Sequence, residues 1–355
     1  MQNNLNPSNS NEIVTNKNDR GFTILEVIVA MTIFMIVSGA IWGVLRVALM
    51  SRSTVNQQVQ LAKNVRLALN IIGKDTYNAG FGYPLKSTVV LPDNRISAAI
   101  GIPVDIDTSR DTVPPVIAGN QITTDAFNTT ANTKTDQITL LFKDSTFNVV
   151  SGVSTPLNIN AATTTSGGID EIVPISGSNS SCRVNDIYLV TGNTGSTIGL
   201  ATALNGTSAV QFSNGDLLGF NQTGTSGPLR GITLPASLMR IKMITYFVAS
   251  DGTLTRREFA NITPAVAYVD EPLVYGVDDF QIQYIMDDGT VTNNPSAGPD
   301  LIAGTADDIQ SNLTAVRQIR YTVSARSIDL NSAGQPYRET MTSTFSTRNM
   351  GYDVN

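Results

Sequence analysis

The residues able to do chemistry in this chain are few, and most are carboxylates. Asp287, Asp288, Asp300, Asp307 and Asp308 gather in a Gly/Pro-punctuated stretch from Met286 to Gln310. Clustered carboxylates with backbone carbonyls can hold Ca²⁺. The spacing does not match an EF-hand loop, and a solvated acidic loop between two strands is the alternative. Asp278 and Asp279 form an adjacent pair of the kind used for acid–base work. On neighbouring strand positions they are expected to point to opposite faces, which argues against a shared site. The lone cysteine, Cys182, follows Ser178-Asn179-Ser180-Ser181. It reads as a buried spectator rather than a reactive thiol or half of an intermolecular bridge. Tyr246, Phe247, Phe280 and Tyr284 read as core aromatics. The most conspicuous carboxylate is Glu26, placed directly before 19 residues without a charge, Val27 to Leu45. A carboxylate at the centre of a membrane costs ~2.5–3.5 kcal/mol on insertion scales, so it needs a partner or must snorkel to an edge.

Composition removes whole classes of function. The chain has 355 residues and no histidine, which excludes Ser-His-Asp and Cys-His catalytic units and His-ligated metal sites. One cysteine excludes an intramolecular disulfide and a thiolate zinc site. Lys and Arg number 23 against 29 Asp and Glu, for a net charge of −6, which argues against nucleic acid as a partner. No nucleophile with a base and no set of convergent acids emerges. The chain reads as no enzyme and needs no cofactor, calcium being the one ligand that the acidic stretch suggests.

These residues must be positioned by two kinds of element. The uncharged run, with Phe22-Thr23-Ile24-Leu25 before it, is long enough to cross a ~30 Å hydrocarbon core at 1.5 Å per residue. A secretory signal would have a shorter apolar region, ~7–15 residues, ending at small residues. Lys17 and Arg20 before the span balance Arg46 and Arg52 after it, so charge does not set its orientation. Apolar spacing continues through Val55, Val59, Ala62, Val65, Leu69 and Ile72. The pattern predicts one helix from about 22 to 75, membrane-spanning over about 22–49 and amphipathic over 50–75, and roughly 80 Å long. Asn78-Ala79-Gly80 and Gly82-Tyr83-Pro84 end it. Residues 76–355 are expected to be a β-rich domain. Strands are predicted at 137–142, 186–190, 240–249, 253–259, 279–286, 319–326 and 337–345, with a hairpin at Ser250-Asp251-Gly252. Residues 145–230 hold only six charged side chains, so short strands and long loops are expected there. The fold class is α+β, a long N-terminal helix packed on a large antiparallel β-rich domain.

The string Arg20-Gly21-Phe22-Thr23-Ile24-Leu25-Glu26 closely resembles the cleavage site of type IV prepilins. In that family a basic residue and a glycine precede the cut, phenylalanine becomes the new N-terminus, and glutamate occupies the fifth mature position. Arg20, Gly21, Phe22 and Glu26 match in turn. The resemblance implies cleavage between Gly21 and Phe22 by prepilin peptidase and N-methylation of Phe22. It implies a cytoplasmic leader over 1–21, a single span in the bacterial inner membrane, and a C-terminal domain in the periplasm. The freed amine of Phe22 would supply a positive partner for Glu26, from the same or a neighbouring subunit. Gly39 and Gly43 form a GxxxG spacing that lets helices approach closely, and ordinary membrane-helix glycine is the plainer reading.

Within that family, the large domain and single cysteine depart from short major pilins with a C-terminal disulfide loop. The chain looks more like PilW-type minor pilins. Residues 70–81, Tyr275 to Tyr284 and Thr344 to Asn349 carry that likeness, and about 85–235 is unplaced. It implies a role in priming and assembling a pilus at or near its tip, and finally a place in the fibre. The implied partners are other minor and major pilins, the peptidase, an inner-membrane assembly platform and membrane lipid. A J-type minor pseudopilin of type II secretion is the nearest alternative. A membrane-tethered periplasmic binding protein or hydrolase is the alternative of another class.

Overall fold

A computed structural model describes residues 21–84, 89–104, 108–127, 133–161, 164–166, 170–221, 233–260, 266–296, 310–330 and 334–350. Its first element is a 55-residue helix, α1 (Ile24–Asn78). Thr23 starts it: Glu26 N–H donates to Thr23 Oγ1 at 3.3 Å, and Val27 N–H to the Thr23 carbonyl at 3.2 Å. Thr23 and Glu26 thus stand in capping-box spacing. Glycines with positive φ, Gly80 and Gly82, turn the chain away after the helix. Contacts divide the chain into two units, Met1–Asn56 and Gln57–Asn355. The first is described by its helix alone.

The second unit is β-rich. It contains β1 (Val89–Leu91), a short helix α2 (Arg95–Ile100), β2 (Asp111–Thr112), β3 (Val116–Thr124) and β4 (Lys134–Lys143). The low-charge middle adds β5 (Val149–Val150), β6 (Val153–Ser154), β7 (Leu157–Ile159), β8 (Thr164–Ser166), β9 (Asp170–Pro174), β10 (Ile187–Thr191), β11 (Ser196–Leu200), β12 (Ala203–Asn205) and β13 (Ala209–Phe212). Longer strands follow: β14 (Ala236–Val248), β15 (Leu254–Phe259), β16 (Tyr268–Val274), β17 (Val277–Met286), β18 (Val291–Thr292), β19 (Val316–Leu330) and β20 (Pro336–Ser346). All seven strands expected from Val/Ile/Thr/aromatic runs are present, and the 250–252 turn joins β14 to β15. The middle is short strands, as its composition implied. Pairing is antiparallel throughout the described strands except between β1 and β11.

The sheets enclose two apolar clusters. In one, the helix residues Leu61, Val65, Leu69 and Ile72 pack with Phe280, Ile282, Tyr321 and Val323 from the four-stranded sheet β18-β17-β19-β20. The other joins β10, β11 and the middle strands around Tyr188, Ile198, Phe212 and Phe220. Strand β14 belongs to both: Leu238 and Ile241 enter the second cluster, Ile244 and Tyr246 the first. The apolar stripe of the helix differs from the expected one. Val55 and Val59 are exposed, and Leu61 and Ala68 take their place in the buried set. Val59 fits the helical period of the stripe yet is 61% exposed, so period alone does not mark which of its residues are covered. Tyr246, Phe280 and Tyr284 are core residues, whereas Phe247 is half-buried beneath the Arg257 guanidinium.

Candidate functional site

The N-terminal segment combines exposure with apolarity. Phe22 is 82% exposed, Ile24 and Leu25 nearly as much, and the most apolar window of α1 is wholly unburied. Water does not tolerate so long a bare apolar helix, and a lipid or helix-packed setting does. One polar group inside the run is satisfied locally. The Thr32 hydroxyl donates to the Ile28 carbonyl at 2.8 Å, so it needs no water. Phe22, Glu26, Ala30 and Phe34 recur every four residues and share one helix face. Glu26 lies in the first turn, where the helix dipole favours a negative charge. A new α-amine at Phe22 would add positive charge at the same end, four residues before Glu26.

Gly21, Gly39 and Gly43 meet nothing within 4 Å of where a Cβ would stand. Among the described residues no contact requires glycine at 39 or 43, and their smallness bears on what packs against them. Arg20, Asp300, Asp307 and Asp308 lie outside the described residues. Asp287 lies 3.5 Å from Arg317 Nη2, and Asp288 Oδ1 accepts the Thr290 N–H at 2.8 Å in a tight turn. That turn holds the Asp288 carboxyl below its usual range. Among the described residues no group of three His, Cys, Asp or Glu could hold a metal ion. Cys182 is buried, and burial raises its thiol to about 11, so it is inert at neutral pH.

One expectation is corrected. Asp278 and Asp279 do not diverge to opposite faces. The ladder between β17 and β19 slips there: Val277 pairs with Ala325 and Asp279 with Ser324. Asp278 is the extra residue of a β-bulge, and both carboxylates line a single cleft. Alternation, which the sequence argument assumed, fails at a bulge.

Two buried ionic networks escaped the sequence reading. Asp75 follows Ile72 by three residues and so sits on the buried stripe of α1. Its Oδ2 accepts from Tyr246 Oη at 2.6 Å and from Arg256 Nε at 3.0 Å. Arg240 on β14 donates from Nε to Asp144 at 2.8 Å and from Nη1 to Asp186 at 2.9 Å, all three side chains being under a tenth exposed. An acid on an apolar stripe was the available signal for the first. The second joins residues up to 96 positions apart and left no local trace.

With this geometry in place, comparison with known proteins gives one match. The prokaryotic N-terminal methylation motif, a type IV prepilin-like feature, covers residues 16–42. No curated protein and no solved structure matches the chain.

Proposed function

We propose that this chain is a minor pilin of a type IV pilus, of the PilW type, whose work is assembly rather than catalysis. The observation that carries the reading is the methylation motif at the head of a bare apolar helix. Prepilin peptidase cuts between Gly21 and Phe22 and methylates the new N-terminus. The span first holds the protein in the inner membrane with the β-rich unit in the periplasm. The same apolar surface then packs against other pilin helices when the assembly platform extracts the subunit, and Gly39 and Gly43 allow close approach. The large β-rich unit suits a place at or near the tip, where its bulk would not have to repeat along a fibre.

The test is mass spectrometry of the native N-terminus. A methylated Phe22 is expected. An intact Met1 in cells with active prepilin peptidase would refute the reading. Deletion of the gene should abolish twitching and surface pili. Loss of protein secretion with normal pili would instead assign the chain to a type II pseudopilus.

A further inference from the structure

The bulge in β17 opens onto a cleft of about 560 Å³ on the polar face of the β17-β19-β20 sheet. Its floor is a polar ladder across three strands: Asp279 and Gln281, then Ser324, then Thr340. Gln121 of β3 and Asp125 just after it form the wall. A bulge re-aims side chains, and here it adds Asp278 to the face that Asp279 already occupies.

The charges in the cleft largely cancel. Arg326 and Arg338 face each other across β19 and β20, and Asp278 answers both. Its Oδ2 accepts from Arg338 Nε at 2.7 Å, and its Oδ1 lies 3.6 Å from Arg326 Nε. Asp125 accepts the Phe127 N–H at 2.7 Å, and Lys134 lies along the same wall. A strongly charged ligand of either sign gains little from such a balance. Hydrogen-bonding groups, in contrast, stand close together. Gln281 Nε2 donates both to Asp279 Oδ1 at 2.7 Å and to the Lys134 carbonyl at 3.0 Å, which leaves the Gln281 carbonyl oxygen as an acceptor. The Ser324 and Thr340 hydroxyls are 2.7 Å apart, and each can both donate and accept. An amide acceptor in the same cleft as two hydroxyls matches the vicinal hydroxyls of a sugar, each of which both donates and accepts. The volume lies within the range of small-ligand sites.

We infer that this cleft binds a neutral polyhydroxylated ligand, one or two sugar rings of a glycan. The inference stands apart from the pilus reading, since it rests on the β-rich unit alone. The test uses the full chain in lipid nanodiscs, which avoids detergents with sugar headgroups. It is applied to an array of neutral and acidic oligosaccharides, with polylysine as a control. Retention of neutral glycans is expected. Gln281→Ala should weaken it about five- to tenfold. Thr340→Phe, which fills the cleft from an exposed strand position, should abolish it while the β-sheet circular dichroism stays unchanged. The inference is overturned by no retained glycan, by equal retention in both variants, or by capture of acidic sugars or polylysine alone.

Discussion

Asp75, Glu26 and Asp136 are three carboxylates with three different fates. Asp75 is held by Arg256 and Tyr246 against the core, and its Arg256 partner is only 12% exposed. Burial and the adjacent carboxylate push the Tyr246 hydroxyl well above its usual range, so it stays a donor at any physiological pH. Removing one member of a buried pair strands the other. Asp75→Ala should therefore destabilise the β-rich unit by about 3–5 kcal/mol in urea titration. Asp75→Asn, which still accepts from Tyr246, should cost clearly less. Among the described residues Glu26 forms no such ion pair, and it is where the proposed role in assembly can be tested. Glu26→Ala should leave cleavage largely intact and impair incorporation into pili, read by immunoblots of cells and of sheared fibres. Normal incorporation would contradict the pairing with a Phe22 amine. Asp136 is buried and accepts the N–H groups of Gln121 and Ile282 at 2.9 and 2.7 Å. Burial nevertheless raises its carboxyl to about 6, and Asp279 adds to the shift. The folded chain thus keeps a proton that the unfolded chain gives up near 3.8. Stability from this group is complete below that lower value and declines as pH rises through 6, by at most about 3 kcal/mol. Urea midpoints from pH 4 to 7 should show that decline in the wild type, and Asp136→Asn should remove it.

At the scale of elements, periodicity was a good guide where strands are long and a poor one where they are short. The runs at 240–249 and 319–326 alternate or concentrate β-branched residues over enough length to be recognised. Strands such as β5, β6 and β12 span two or three residues, too few for any period to register. The helix stripe was legible in type but began at the wrong residue, because helical spacing cannot say where the covering sheet starts. Gly73 went unexplained by spacing altogether. A glycine inside a helix costs about 1 kcal/mol relative to alanine. The structure supplies the reason: a Cβ there would overlap the Phe345 ring. Overpacking of that kind costs about 1–3 kcal/mol and should outweigh the gain in helix propensity. Gly73→Ala is thus expected to lower stability, and Phe345→Leu in the same chain should recover much of the loss. A stabilising Gly73→Ala would show that the contact yields easily.

Over the whole β-rich unit, fold class was readable and topology was not. The helix-then-strands order and the excess of β-formers specify α+β. Nothing local announces that β14 runs through both apolar clusters, or that β10 and β11 are drawn to it from the low-charge middle. Arg240 fastens that junction from β14 to Asp144 and Asp186. Arg240→Met would leave two buried carboxylates facing each other. Amide hydrogen exchange of this variant should show β10 and β11 losing protection first, while β17 and β19 keep theirs. Uniform loss in both sheets would mean that the clusters open as one. The N-terminal motif was the most legible feature of all, since its meaning lies in a short string read by a peptidase and needs no folding to be seen.

The contact between Gly73 and Phe345 also sets a timetable. The two residues are separated by 272 positions of chain, and ribosomes add roughly 5–20 residues per second. For some 15–50 seconds, by that rate, the finished helix waits with Leu61, Val65 and Ile72 uncovered. A bilayer around the apolar N-terminal half of the helix would shelter that half during this interval, but the amphipathic turns beyond it have no such refuge. A nascent chain stalled before Phe345 presents an apolar stripe and an unfinished sheet together, the form most open to proteolysis.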